Sequence, residues 1–183
     1  MLEEILQSCM QQTDRLNQFA EMMRSLSGIE EREAVYAPVS TGRLLEDLGK
    51  TARVAAGPDG PSVTMVSGAL PEVVMADVSI IYEVYENILG NALRYARERI
   101  QVLLDVEGRE LVLECTDDGG GFQDGQDRLT EKFYHSGMSD DLKHFGLGLY
   151  LCRIYCEKHG GRLLLGNRQG GACVRACFGL EHM

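Results

Sequence analysis

Residues 82–96 read YEVYENILGNALRYA, and the fold and the chemistry both follow outward from this stretch. Ile80, Ile81, Val84, Ile88 and Leu89 fall at the spacings of three and four that line one side of a helix. Such an apolar side belongs in a core, so a central helix is expected from Val78 to Arg97, capped at its start by Asp77. Asn87 and Asn91 lie four residues apart and share one face of that helix. Two uncharged amides beside Ile and Leu are costly to bury unpaired, so this face must meet something polar. A carboxamide oxygen is a hard neutral ligand suited to Mg2+, an ion that keeps several waters and shares substrate phosphates. One turn onward, Arg94 and Tyr95 add a phosphate-seeking cation and an aromatic surface. An amide pair that merely capped or cross-linked neighbouring loops would show the same spacing.

Toward the N-terminus, residues 2–27 carry a second stripe. Leu2, Leu6, Cys9, Thr13, Leu16, Ala20 and Met23 alternate spacings of four and three, with Ile5, Gln12, Phe19 and Leu26 alongside. This coiled-coil-like seam predicts a long helix that seeks a partner helix. Ser27-Gly28 ends it, and the acidic run EERE (30–33) leads away. Residues 1–28 are therefore read as a helical appendage, and residues 29–183 as the globular domain. In that domain AVYAPVS (34–40) predicts an edge strand tolerating Pro38, and Ser40 or Thr41 is placed to cap a helix from Gly42 to Val54. The turn GPDGP (57–61) follows, and then the strands SVTMVS (62–67) and EVVMA (72–76). Beyond the core helix, RIQVLLDVEG (99–108) and ELVLECTDD (110–118) pair across Glu107-Gly108. A helix from Gly148 to Lys158 leads to two closing strands, RLLLGN (162–167) and ACVRACF (172–178), around a QGG turn. Strands outnumber helices and come in neighbouring pairs. The expected fold class is α+β, a two-layer sandwich of a mixed sheet packed on helices, preceded by the long N-terminal helix.

Two glycine-rich stretches carry further chemistry. In DDGGGF (117–122) a carboxylate leaves an apolar strand beside glycines, so Asp117 can accept a hydrogen bond from a ligand that the bare backbone lets approach. Adenine's exocyclic amine is one such donor, although an ordinary Asx-Gly turn reads the same way. In HFGLGLYLCRIY (144–155), Gly146 and Gly148 stand where a loop becomes a helix. Free backbone N–H groups and the helix dipole face outward together there, which suits polyphosphate; a hinge into a core helix is the plainer reading.

The order and spacing of these stretches resemble the ATP-binding catalytic domain of sensor histidine kinases. That domain belongs to the superfamily shared with DNA gyrase, the large heat-shock chaperones and mismatch-repair ATPases. The resemblance runs from about Ala34 to Gly179. NILGNALRY (87–95) is similar to the family's N box, DDGGG to its first glycine box and FGLGL (145–149) to its second. TEKFYHSG (130–137) resembles the phenylalanine box before the ATP lid, and EKHGGRLLLGN (157–167) the closing HGG segment. What this implies is a Bergerat-type ATP-binding fold with ATP and Mg2+ as cofactors. By position, Asn91 would bind the Mg2+ that bridges the phosphates, Asn87 would support it, and Arg94 would reach the phosphates, Asn87 and Arg94 thereby serving catalysis. Tyr95 would lie beside adenine and Asp117 would hold the adenine amine, with Gly119 and Gly121 giving room. Gly146, Leu147, Gly148 and Leu149 would line the lid and the triphosphate, and Phe133 would pack at the base of the lid.

Three departures from the pattern stand out. His144 replaces a frequent glycine of the second glycine box, and Thr130 and Lys132 stand where the phenylalanine box usually has other residues. No phosphoacceptor box is present, since His135, His144, His159 and His182 all follow the Asn helix. The implied activity is transfer of the γ-phosphoryl group of ATP to a histidine outside this chain. Residues 1–28 would then be the second helix of a dimerisation and phosphoacceptor hairpin in a longer sensor. The partners so implied are the acceptor helix, a response regulator and a second copy of the full-length protein. Two alternatives share the fold: an anti-sigma-type serine kinase, which needs no such hairpin, and a non-catalytic nucleotide-binding dimerisation module.

Composition narrows the classes. The 183 residues include 18 basic and 28 acidic side chains, a net charge of −10, which argues against a nucleic-acid or membrane-surface binder. No apolar run approaches the roughly 18 residues of a membrane span. The start, MLEEILQSCMQQ, lacks the basic region of a signal peptide, so a cytoplasmic domain is expected whether or not its parent is membrane-anchored. A chain of this length buries a core without disulfides or a structural metal. Cys152/Cys156 and Cys173/Cys177 have C-x3-C spacing with His159 nearby, but their flanks read as core and the thiols as small hydrophobes.

Overall fold

A computed structural model describes Thr13, residues 32–122 and residues 148–181. Apart from Thr13, the N-terminal stripe lies outside the described residues, as do Phe133, Gly146 and Leu147. The described elements run β1 (Ala37–Ser40), α1 (Thr41–Ala56), β2 (Ser62–Ser67), β3 (Val73–Ala76), α2 (Val78–Tyr95), β4 (Arg99–Glu107), β5 (Glu110–Asp117), α3 (Gly148–Lys158), β6 (Arg162–Arg168) and β7 (Gly171–Gly179).

Five strands form a mixed sheet in the order β2-β4-β5-β7-β6, with β2 and β4 parallel and the other neighbours antiparallel. The two-residue period places Ile100, Val102 and Leu104, then Leu111, Leu113 and Cys115, then Val174, Ala176 and Phe178, on one face. Register lines them up: Leu104 opposes Leu113, and Leu113 opposes Ala176. Ile80, Ile81, Val84, Ile88 and Leu89 of α2, with Cys152 and Cys156 of α3, complete the same core. Each fully buried side chain of this size is worth about 1.5–3 kcal/mol relative to exposure. Tyr85, also buried, donates its hydroxyl to the Leu48 carbonyl at 2.9 Å and ties α2 to α1. The α+β two-layer sandwich is thus the observed architecture.

Strand pairing departs from the neighbouring pairs expected. SVTMVS and EVVMA are both strands but do not pair with each other: β2 runs parallel to β4, and β3 is antiparallel to β1 in a separate two-stranded sheet. A parallel pair needs a crossover, and β3 with α2 provides it. Because α2 must lie across the sheet to bury its apolar side, β3 is carried away from the sheet edge. The start of α1 also differs. Ser40 holds the N-cap position without a side-chain bond, and the buried Thr41 donates its hydroxyl to the Pro71 carbonyl instead, stapling α1 to the segment before β3.

Asp77 caps α2 as expected, its Oδ1 accepting from the amides of Ser79 at 3.0 Å and Ile80 at 3.2 Å. Its Oδ2 accepts from the Val35 amide at 2.9 Å and pairs with Arg32 at 3.3 Å. Burial would raise its carboxyl, yet the Ser79 hydroxyl, the Val35 and Ile80 amides and the Arg32 guanidinium hold it at about 2. The histidine of the HGG segment locks this corner. His159 is fully buried, and its Nε2 accepts the Asp77 amide at 2.8 Å, which places the proton of the neutral ring on Nδ1. Desolvation lowers its pKa below the ordinary value, and the rings of Tyr36 and Phe178 meet it edge-on at 4.8 and 5.4 Å.

Candidate functional site

Asp117 ends β5 on the helix side of the sheet, two residues beyond Cys115 in the core face. A carboxylate continuing an apolar row must be satisfied locally. Its Oδ1 accepts from the Gly119 amide at 2.8 Å and the Ala172 amide at 3.2 Å. The residue is 8% exposed, and among the described residues Oδ2 has no hydrogen-bond partner. Asp118 does different work. Its Oδ1 gathers the amides of Arg97, Glu98 and Arg99 at 2.9, 3.0 and 3.1 Å, and those hydrogen bonds hold its carboxyl at about 2. Asp118 is therefore the clasp between the end of α2 and the start of β4.

Asn87 and Asn91 project from α2 toward the start of α3. A Cβ on Gly148 would stand 3.3 Å from Asn87 Oδ1 and 4.0 Å from Asn91 Nδ2, so the start of α3, whose first amides have no partner within the helix, faces both carboxamides. Asn87 Nδ2 donates to the Glu83 carbonyl at 2.8 Å, leaving its Oδ1 toward Gly148. Among the described residues the Asn91 amide has no hydrogen-bond partner. One turn later the Arg94 guanidinium lies 5.6 Å from the centre of the Tyr95 ring, which is 58% exposed. Leu149 packs against the core behind this face.

Two glycines of the loop after β5, Gly119 and Gly121, are required by protein contacts. A Cβ on Gly119 would come within 2.2 Å of the Tyr95 carbonyl oxygen, so only glycine lets the loop dock on the end of α2. Gly121 has φ +69°, and a Cβ there would lie 2.8 Å from Asn167 Oδ1. The described site residues thus form one connected set, from Gly148 through Asn87, Asn91 and Tyr95 to Gly119 and Asp117. Sequence reading missed a supporting group from the β6–β7 hairpin: Asn167, Gly171 and Ala172. A Cβ on Gly171 would fall 1.8 Å from the Asp117 carbonyl oxygen. The QGG turn was a visible signal, but its docking on Asp117 follows from the pairing of β5 with β7, which spacing does not reveal.

No group of three His, Cys, Asp or Glu able to hold a metal occurs among the described residues. Cys152 and Cys156 are core thiols whose burial raises their pKa, and burial pushes Cys115 up to about 12. The open Asn91 carboxamide does fit a hard divalent cation that draws its other ligands from water and a bound polyphosphate. Among the described residues no helix is long and apolar enough to cross a membrane.

Residues 76–182 match the family described as Histidine kinase-, DNA gyrase B-, and HSP90-like ATPase. Sensor protein KdpD of Escherichia coli K12 is 35% identical over 114 residues, covering 58% of this chain and 13% of that protein. Sensor protein kinase PilS of Pseudomonas aeruginosa is 39% identical over 105 residues, 52% of this chain and 19% of PilS. The chain therefore spans less than a fifth of either relative. In fold it is similar to the Acinetobacter baumannii histidine kinase AdeS, with a TM-score of 0.70 at 18% identity over 97% of this chain and 84% of that one. Full-length ShkA in complex with AMPPNP gives a TM-score of 0.67 at 23% identity, over 83% of this chain and 33% of that one.

Proposed function

The chain belongs to the histidine kinase-, DNA gyrase B- and HSP90-like ATPase family, and from that premise we propose that it is the ATP-binding catalytic domain of a sensor histidine kinase, transferring the γ-phosphoryl group to a histidine outside this chain. The observation that carries the reading is the connected set described above: a carboxylate with one oxygen held by two amides and the other, like the Asn91 carboxamide at the start of α3, without a partner among the described residues. Asp117 Oδ2 accepts the adenine amine while Oδ1 stays with the loop amides, and the Tyr95 ring lies beside the base. Asn91, supported by Asn87, holds Mg2+, which when bound neutralises phosphate charge. Arg94 reaches the phosphates. Gly146, Leu147, Gly148 and Leu149 line the triphosphate and its lid, with Phe133 at the lid's base. Catalysis by such a domain is positioning and charge stabilisation with little covalent work.

In this reading residues 29–183 form the catalytic domain and residues 1–28 the second helix of a dimerisation hairpin in a parent sensor. That parent works as a homodimer in or at the edge of the cytoplasm and passes phosphate to a response regulator. The relatives matched are sensor kinases, which favours this activity over a serine kinase of the same superfamily. Photo-crosslinking with 8-azido-ATP tests the placement. Label is expected on the peptides holding Tyr95 or residues 117–122 and should be competed away by ATP. Label confined to peptides elsewhere would refute it.

A further inference from the structure

The β6–β7 hairpin contributes more to the loop after β5 than packing. Asn167, near the end of β6, reaches across to Phe122 with both halves of its amide. Its Oδ1 accepts from the Phe122 amide at 2.7 Å, and its Nδ2 donates to the Phe122 carbonyl at 2.8 Å. The same Oδ1 occupies the space that a side chain on Gly121 would need, so the left-handed glycine and the asparagine are fitted to one another. Asn167 opposes Ala172 in the hairpin, and the Ala172 amide bonds Asp117 Oδ1 at 3.2 Å. Both ends of the segment 117–122 are therefore held by one hairpin tip: the carboxylate through Ala172, and the exit toward residue 123 through Asn167.

We infer that Asn167 is a positioning residue for nucleotide binding, acting through Phe122 and Gly121 to hold the Asp117 loop in the geometry that leaves Oδ2 open. The inference rests on the nucleotide-site reading above. Asn167 is itself exposed and pairs in a regular hairpin, so the fold has little need of its amide. A backbone clamped at two points loses little further freedom when ligand binds, and freeing it adds that cost to binding.

The test is isothermal titration of ATP with Mg2+ into this chain and its variants Asn167→Ala and Asn167→Asp. Calorimetry separates affinity from the fraction of competent protein: a merely structural loss lowers the stoichiometry at unchanged affinity, whereas a displaced loop weakens affinity at unchanged stoichiometry. Loss of two hydrogen bonds from the clamp is expected to weaken binding about tenfold in Asn167→Ala. Asn167→Asp keeps the acceptor for the Phe122 amide but sets an oxygen against the Phe122 carbonyl, and is expected to weaken binding comparably. A wild-type chain that binds ATP, with both variants within about twofold of it or altered only in stoichiometry, overturns the role of Asn167 alone. A wild-type chain that binds no ATP overturns this inference together with the reading it rests on.

Discussion

At the scale of single residues, Asp117 and Asp118 show how neighbours of one type diverge. Asp117 continues the core face of β5 and keeps one oxygen without a partner among the described residues, whereas one oxygen of Asp118 accepts from three consecutive amides. Asp117→Asn should therefore weaken ATP binding by about 1.5–3 kcal/mol, the worth of a hydrogen bond to a charged group. Asp118→Asn should leave ATP affinity nearly unchanged. Fluorescence titration with an adenine nucleotide measures both, and equal losses would show that the wrong carboxylate has been given the ligand. The carboxylate and the glycines were legible because they are adjacent in sequence. Asn167 was not, since its partner lies 45 residues away and only strand order brings them together.

Elements were legible where their periodicity is strong. The run of Ile, Val and Leu through residues 80–89 announced α2, and Asp77 its cap; the observed helix ends at Tyr95, two residues short of expectation. That β2 and β3 take different partners was not legible, because it depends on where α2 must lie to cover the sheet. The corner formed by Asp77, His159, Val35 and Arg32 holds the start of α2, and so the angle at which its amides meet α3. Asp77→Ala should cost at least the ~1 kcal/mol typical of a lost N-cap, read as a lower urea midpoint with unchanged slope. No change in midpoint would mean that the cap is redundant. Desolvation holds His159 below its ordinary 6.5 against the opposing pull of the Asp77 and Glu181 carboxylates, so the unfolded chain binds the extra proton more readily. Its contribution is full above about 6.5 and declines as pH falls below that value. Asp77 adds a second loss only as pH falls from 3.8 toward 2. Urea unfolding between roughly pH 5 and 7 should show the decline, and His159→Gln should flatten it; an unaltered slope in the variant would contradict the assignment.

For the whole molecule, the sheet fixes Asp117 and the β6–β7 hairpin on one side, and the antiparallel helices bring Asn87 and Asn91 against Gly148 on the other. Ligand bound between them stabilises the folded state by mass action, about 2.7 kcal/mol at a hundredfold excess over Kd. Mg·ATP should accordingly raise the melting temperature of this chain, and an unmoved transition would speak against a site spanning both halves. The protein should also acquire no phosphohistidine from labelled ATP when alone, because the proposed acceptor lies elsewhere. The most direct measurement is calorimetric titration of ATP into the chain with Mg2+ and again after chelation. A shared cradle for the base and for phosphates bound with Mg2+ predicts one site per chain, weakened when the ion is removed. Absence of binding, or an affinity indifferent to the ion, would contradict it.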